Sequence, residues 1–223
     1  RTKKQIYIMY VGPDIVTEGL LLIMNAASMR SYPGSGTTWY DLSGNSINGT
    51  LSSSTMATAV PGEMRLDNSN DKINYGHDIL LEPVSITVSA WVNLDNRNDR
   101  HILITKWYGY SFEISSTGYP YFRLNGPGDQ YSSEALTWGE WYLITGTFDN
   151  STKKHDCYVN GVNKGTSVKS SSIVYNQGSL NIPYTGNPVH AKGEIATVSI
   201  YNRALTAAEV TQNYNAQKSR FGL

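Results

Sequence analysis

Short runs of β-branched and aromatic residues recur along the chain, and Gly, Asn, Asp, Ser or Pro separates each run from the next. Residues 86–92 form the clearest run, in which Ile, Val, Ala and Val alternate with Thr, Ser and Trp91. Side chains alternate between the two faces of a strand, so this pattern predicts a strand with Trp91 opposite its apolar face. Further strands are predicted at residues 101–106, 110–115, 119–124 and 141–148. Many short strands at this spacing indicate an all-β sandwich or barrel.

The last third of the chain adds a hairpin, a long strand and a helix. Asn160 and Gly161 tolerate the positive φ angles of a tight turn, which predicts a hairpin over residues 155–164. Residues 194–201 alternate as a final strand. Thr206 and Glu209 have the spacing of a capping box, which predicts one short helix ending near residue 217. Because no repeat or linker interrupts the pattern, we expect one sandwich domain over residues 19–223.

Charge and hydropathy exclude several functions. The 18 basic and 18 acidic residues cancel, and no long run of one sign occurs. Nucleic acids bind to concentrated basic surfaces, so neither nucleic acid nor an anionic membrane is expected as the main partner. The longest apolar stretch, residues 20–24, is far too short for membrane insertion. The single cysteine, Cys157, cannot form an internal disulfide, and its strand phase directs it into the core.

Four segments, in order, resemble the concanavalin A-like lectin/glucanase superfamily, in particular its laminin-G-like branch. They are WYDLSGNSINGTL at residues 39–51, the Trp-bearing strand at 85–95, the paired strands and hairpin within 138–161, and the closing strand and helix at 194–210. The resemblance implies an antiparallel, two-sheet jelly-roll sandwich with one short C-terminal helix.

Residues 12–20 and 31–39 resemble modules in the structural proteins of tailed phages, including marine phages. This resemblance implies a virion surface protein, either a capsid decoration or a fibre component, that contacts other virion proteins and further copies of itself. The alternative is a bacterial secreted or cell-surface carbohydrate-binding module. In one departure, Asn25 stands where such sequences usually carry Asp, so the resemblance implies no carboxylate role at that position.

The sequence lacks a recognisable catalytic motif. The glucanase branch of the fold carries a Glu-x-Asp-x-x-Glu strand for acid and nucleophile chemistry, whereas Glu113 and Glu140 are isolated here. No serine-nucleophile elbow, zinc helix or phosphate loop is present. We therefore expect a protein that binds without catalysis, and a glycoside hydrolase is disfavoured. The four histidines occur singly and are interpreted as structural: His77, His101, His155 and His190.

Two loops are rich in oxygen ligands. Asp41 and Asn45 crowd one turn, and Asp67 and Asp71 crowd another. Calcium prefers six to eight hard oxygen ligands, which loops of this composition supply, so Ca²⁺ is the one candidate cofactor. The alternative is that these residues form turns by bonding their own backbone.

An aromatic and polar group, which begins just after the strand predicted at residues 101–106, is the candidate glycan-binding site. Sugars stack their apolar faces on aromatic rings, while Arg, Asn and Asp bind hydroxyl groups. The candidate residues are Trp107, Tyr108, Tyr110, Arg123, Asn125, Asp129 and Tyr131. The alternative for each aromatic residue is packing within the sandwich.

Residues 1–18 precede the family-like segments and are predicted to form an N-terminal arm. Residues 6–11, IYIMYV, have the composition of a strand. An exposed strand offers unpaired backbone groups, so we expect it to dock by pairing with a neighbouring subunit or by adding to a sheet on the particle; the alternative is pairing with an edge of its own sandwich.

Overall fold

Two antiparallel sheets packed face to face form the computed structural model, which describes residues 14–53, 56, 62–66, 71–96, 99–183 and 191–223. In chain order the strands are β1 (Leu20–Asn25), β2 (Thr38–Trp39), β3 (Gly49–Leu51), β4 (Met64–Leu66), β5 (Ile73–Gly76), β6 (Ile86–Leu94), β7 (His101–Lys106), β8 (Tyr110–Ile114), β9 (Pro120–Leu124), β10 (Gly128–Tyr131), β11 (Trp141–Asp149), β12 (Lys154–Val159), β13 (Val162–Val168), β14 (Leu180–Ile182) and β15 (Gly193–Tyr201). Helix α1 (Ala207–Gln217) follows them. The predicted all-β sandwich with a C-terminal helix is confirmed.

The two sheets divide the strands between them. The first sheet has the order β1-β15-β6-β11-β12-β13, and β4 pairs with β15 beside β1. The second has the order β10-β9-β8-β7-β14-β5-β3-β2. Strands distant in sequence are therefore neighbours, and the central position of β6, between β15 and β11, explains why its apolar residues are buried.

The core lies between the sheets. Ile86, Val88, Ala90 and Val92 of β6 face it, as their alternation predicts, and Cys157 of β12 also belongs to it. Burial raises the pKa of the Cys157 thiol to about 12, so the thiol stays protonated and behaves as a small apolar group.

The C-terminal helix covers the outer face of the first sheet. Trp91 is fully buried there, stacked on Phe221 with 4.0 Å between ring centroids and on Tyr214 at 5.8 Å. Thr206 and Glu209 form the predicted capping box. The described residues contain no helix with the length and hydrophobicity needed to cross a membrane.

The end of the predicted N-terminal arm packs on this same face. The Val16 N–H donates to Asn213 Oδ1 at 2.7 Å, and the Tyr201 hydroxyl donates to the Val16 carbonyl at 2.9 Å. The strand-like run at residues 6–11 lies outside the described residues, so pairing of the arm stays a prediction.

Candidate functional site

A cleft of about 570 Å³ lies on the outer face of the second sheet. Strands β7 to β9 and the turns that join them supply most of its lining. Six of the seven residues proposed for glycan binding line it: Trp107, Tyr108, Tyr110, Arg123, Asn125 and Asp129. The antiparallel register places Ser111 opposite Arg123 and Arg123 opposite Asp129, so one polar row crosses three strands.

Glu113 forms the floor of the cleft. Its buried carboxylate accepts hydrogen bonds from the Ser111 hydroxyl at 2.6 Å and from the Tyr121 hydroxyl. The guanidinium groups of Arg123 and Arg100 lie 3.4 and 3.6 Å from its oxygens. A buried carboxylate is stable only when it is paired and hydrogen-bonded, and these four groups provide that pairing.

Arg123 is held rigidly beside Glu113. Its Nε and Nη2 donate to the two carboxylate oxygens of Asp129 at 2.8 and 2.9 Å, a bidentate geometry that fixes the plane of the guanidinium. The hydrogen bonds to Asp129 raise the pKa of Arg123, so it stays charged. Burial and the Glu113 carboxylate raise the pKa of Tyr121, whose hydroxyl therefore stays protonated and serves as a donor to Glu113.

Two aromatic rings form the rim. Trp107 and Tyr108 are each about half exposed and meet edge to face, with centroids 5.3 Å apart. Tyr108 has a φ of 54°, a left-handed conformation that is uncommon for a non-glycine residue and costs about 1–3 kcal/mol. The Asn125 side-chain amide donates to the Tyr108 carbonyl at 3.3 Å and to the Val174 carbonyl at 2.9 Å, which holds the turn in place.

The base of this turn is also fixed. A Cβ atom at Gly178 would lie 2.4 Å from the Trp107 carbonyl oxygen, so only glycine allows this approach. Beneath the turn, the buried Lys106 Nζ lies 3.0 Å from Glu82 Oε1. These contacts pre-organise the rim, which reduces the entropy that a ligand loses on binding.

Two of the predicted glycan-binding residues have other roles. The Tyr110 ring belongs to the core with only 2% of the residue exposed, and it meets Tyr175 edge to face, so the packing alternative holds for it. Its position in β8 directs it inward, opposite to its neighbour Ser111. Tyr131 lies outside the cleft lining, but it is exposed and stacks on Tyr121 with centroids 4.7 Å apart.

The predicted calcium loop at Asp41 is an internally hydrogen-bonded turn. Asp41 Oδ1 accepts from the N–H groups of Ile23 at 3.0 Å and Ser43 at 2.9 Å. Its Oδ2 accepts from the Ser43 hydroxyl at 2.6 Å and the Ile47 N–H at 3.3 Å. Four donors surround the carboxylate, as the turn-forming alternative predicts, and calcium binding at Asp41 and Asn45 stays a prediction.

This turn covers the free edge of β1. Besides the bond from Ile23 to Asp41, the Leu42 N–H donates to the Ile23 carbonyl at 3.0 Å. The Asn45 side-chain amide donates to the Leu21 carbonyl at 2.8 Å. Side chains and loop backbone thus replace a neighbouring strand, which protects an edge that would otherwise invite aggregation.

The second predicted calcium loop is only partly described. Asp67 lies outside the described residues, and Asp71 is buried. In the part of the chain that the structure describes, no group of three or more His, Cys, Asp or Glu side chains could hold a metal ion. Calcium binding at this loop stays a prediction.

Comparison with known proteins supports the fold. The model of a laminin-G family of the concanavalin A-like lectin/glucanases superfamily matches residues 67–211. None of the curated protein sequences compared with the chain matches it.

Solved structures match over nearly the whole chain. Trypanosoma rangeli sialidase in complex with sialic acid has a TM-score of 0.70 at 15% identity, covering 94% of this chain and 36% of that one. The binding domain of Paraclostridial Mosquitocidal Protein 1 has a TM-score of 0.67 at 18% identity, covering 90% and 52%. The receptor binding domain of botulinum neurotoxin C/D mosaic serotype has a TM-score of 0.67 at 16% identity, covering 91% and 52%. At these identities the likeness shows the fold alone.

These matches correct one expectation. The absence of a glucanase motif led us to expect a protein without catalysis, and that conclusion is wrong because chains of sialidase, an enzyme, share the architecture. The present chain spans about a third of the sialidase length, and a shared fold does not establish catalysis either.

Proposed function

The chain belongs to the concanavalin A-like lectin/glucanases superfamily, and on this premise we propose that it binds a glycan in the cleft on the outer face of its second sheet. One observation carries the proposal: two exposed aromatic rings, Trp107 and Tyr108, stand beside a row of ordered polar groups.

The chemistry of the cleft suits a sugar. Each pyranose ring has an apolar C–H face, which packs on an aromatic ring, and a periphery of hydroxyl groups, which need charged or amide partners. Trp107 and Tyr108 supply the rings, and Arg123 and Asp129 supply donors and acceptors in fixed positions. The binding domains of the two toxins support the idea that this architecture serves as a binding module.

The test is glycan-array screening, followed by calorimetry on the sugars that bind. Burying an aromatic ring contributes about 2 kcal/mol, so Trp107→Ala should raise Kd roughly 30-fold. Tyr40→Ala is the matched control, because Tyr40 is similarly exposed but does not line the cleft. If the wild-type protein binds no glycan on a broad array, or if Trp107→Ala binds as tightly as the wild type, the proposal is wrong.

We also propose that the domain is displayed on a virion surface, where it contacts other virion proteins and further copies of itself. The resemblance of residues 12–20 and 31–39 to modules of phage structural proteins supports this location. Labelling particles with an antibody against the domain would test it. A signal from shed, soluble protein or from a bacterial cell surface would instead favour the alternative carbohydrate-binding module.

A further inference from the structure

Of the charged groups that line the cleft, the two arginines are the most exposed, whereas the third cation, Lys106, is buried and paired with Glu82. The side chains of Arg100 and Arg123 are each 42% exposed, whereas Asp129 is 25% exposed and Glu113 only 3%. A ligand that enters the cleft therefore meets guanidinium groups first, with most of the carboxylate surface beneath them.

The two guanidinium groups differ in how fully they are paired. Arg123 is bound bidentately by Asp129 and also lies near Glu113, so its charge is compensated. With the described residues, the Arg100 guanidinium makes one ion pair, at the long distance of 3.6 Å from Glu113. A guanidinium has five N–H donors, so Arg100 retains donors for a ligand.

The charge balance around the cleft points the same way. Lys169 donates from Nζ to the Asp129 carbonyl at 2.6 Å, which adds a cation to the two arginines. Lys106 and Glu82 neutralise each other as an ion pair, so the two arginines and Lys169, which lies beside the lining, outnumber the carboxylates of Glu113 and Asp129, although the whole chain is neutral. In a cleft with apolar walls such an excess attracts anions.

We propose that the cleft selects an anionic saccharide, whose carboxylate or sulfate group binds the Arg100 guanidinium while its ring stacks on Trp107 or Tyr108. The planar fork of arginine matches the two oxygens of either group, which lysine cannot reproduce. This inference rests on the proposed glycan binding and adds the class of sugar and the residue that selects it.

Matched sugars test the inference. Lactose, 3′-sialyllactose and lactose 3′-sulfate share a core and differ in the anionic group, and an array of other neutral and acidic pairs extends the comparison. The wild-type protein should bind acidic members more tightly, and the preference should weaken as salt rises from about 50 to about 500 mM. Comparing the sialylated and sulfated forms shows which anion is preferred.

Variants identify the residue. Arg100→Gln should raise Kd for the acidic sugar about tenfold and leave Kd for its neutral partner unchanged, because one charge-assisted contact is lost. Arg100→Lys should recover only part of the preference. Arg30→Gln removes the same charge from an exposed arginine outside the cleft and should change neither Kd.

The outcomes separate the two proposals. If neutral and acidic partners bind equally, or if the acidic preference survives Arg100→Gln, the anionic selectivity is overturned and glycan binding stands. If no saccharide binds at all, the proposed function itself fails. Circular dichroism melts of each variant establish that any loss of binding occurs in folded protein.

Discussion

Acid should destabilise this protein through one buried histidine. His155 of β12 is fully buried, with its ring centroid 5.4 Å from that of Phe122 and 5.8 Å from that of Phe148. Neither ring nitrogen has a hydrogen-bond partner in the described residues. Burial, and to a smaller extent nearby Lys169, lowers the pKa of His155 to about 3, while Asp156 and Asp129 oppose the shift.

The sign and size of the effect follow from this depressed pKa. A histidine in the unfolded chain has a pKa of about 6.5, so below that pH the unfolded chain binds a proton at His155 that the folded protein does not bind. Stability contributed by neutral His155 is therefore complete above pH 6.5 and is lost as pH falls towards 3. Between pH 7 and pH 5 the loss is about 2 kcal/mol, because each pH unit below the unfolded pKa costs about 1.4 kcal/mol.

Urea unfolding of the wild type and of His155→Leu, at both pH values, measures this loss. Other ionisable groups titrate in both proteins and cancel in the comparison, so the wild type should lose about 2 kcal/mol more than the variant. At pH 7 the variant should unfold at a similar urea concentration, since leucine fills the apolar site without unpaired nitrogens. Equal losses in the two proteins would refute the reasoning, as would an imidazole NMR titration centred near pH 6.5.

Three further predictions concern stability. Trp91→Ala should cost about 3–5 kcal/mol in urea unfolding, because it removes a fully buried ring stacked on Phe221; a loss below about 1 kcal/mol would contradict the assigned packing. Asp41→Ala should lower the free energy of unfolding by about 2–4 kcal/mol and promote aggregation, measured by light scattering, because the β1 edge loses its cover. The control variant Asp78→Ala removes a cap from an exposed turn and should lower the free energy of unfolding by only about 1 kcal/mol. The calcium hypothesis for residues 67–71 predicts a higher melting temperature in excess calcium than in chelator, and equal temperatures would contradict it.

The candidate site depended on contacts that sequence spacing does not reveal. Glu113 is isolated in the chain, and its partners Tyr121 and Arg123 belong to the next strand, while Arg100 precedes β7. Only the antiparallel register, which sets Glu113 opposite Tyr121, brings them together. The sequence pattern identified Arg123 and Asp129 because they are close together in the chain. It missed Glu113 and Arg100 because the role of each depends on side chains that only the fold places beside it.

Asp41 shows the same limit in another form. Asp and Asn in a turn predict calcium ligands and hydrogen-bonding turn formers equally well, since both roles use oxygen atoms. Only the tertiary structure shows that the edge of β1 supplies a donor from Ile23 and an acceptor at Leu21 to this turn.

The sequence by itself determined the features that depend on residues close together in the chain. The alternation in β6 set which of its residues face the core, Asn160 and Gly161 adopt the positive φ angles of 50° and 79° expected of their hairpin turn, and Thr206 caps the helix as predicted. These features arise from backbone sterics and local hydrogen bonds, which act over a few residues. The tertiary structure decided that Tyr110 packs in the core while Tyr108 is exposed at the cleft, and that Glu113 lies between two arginines. Those outcomes depend on strand order and register, which arise from burial across the whole sandwich.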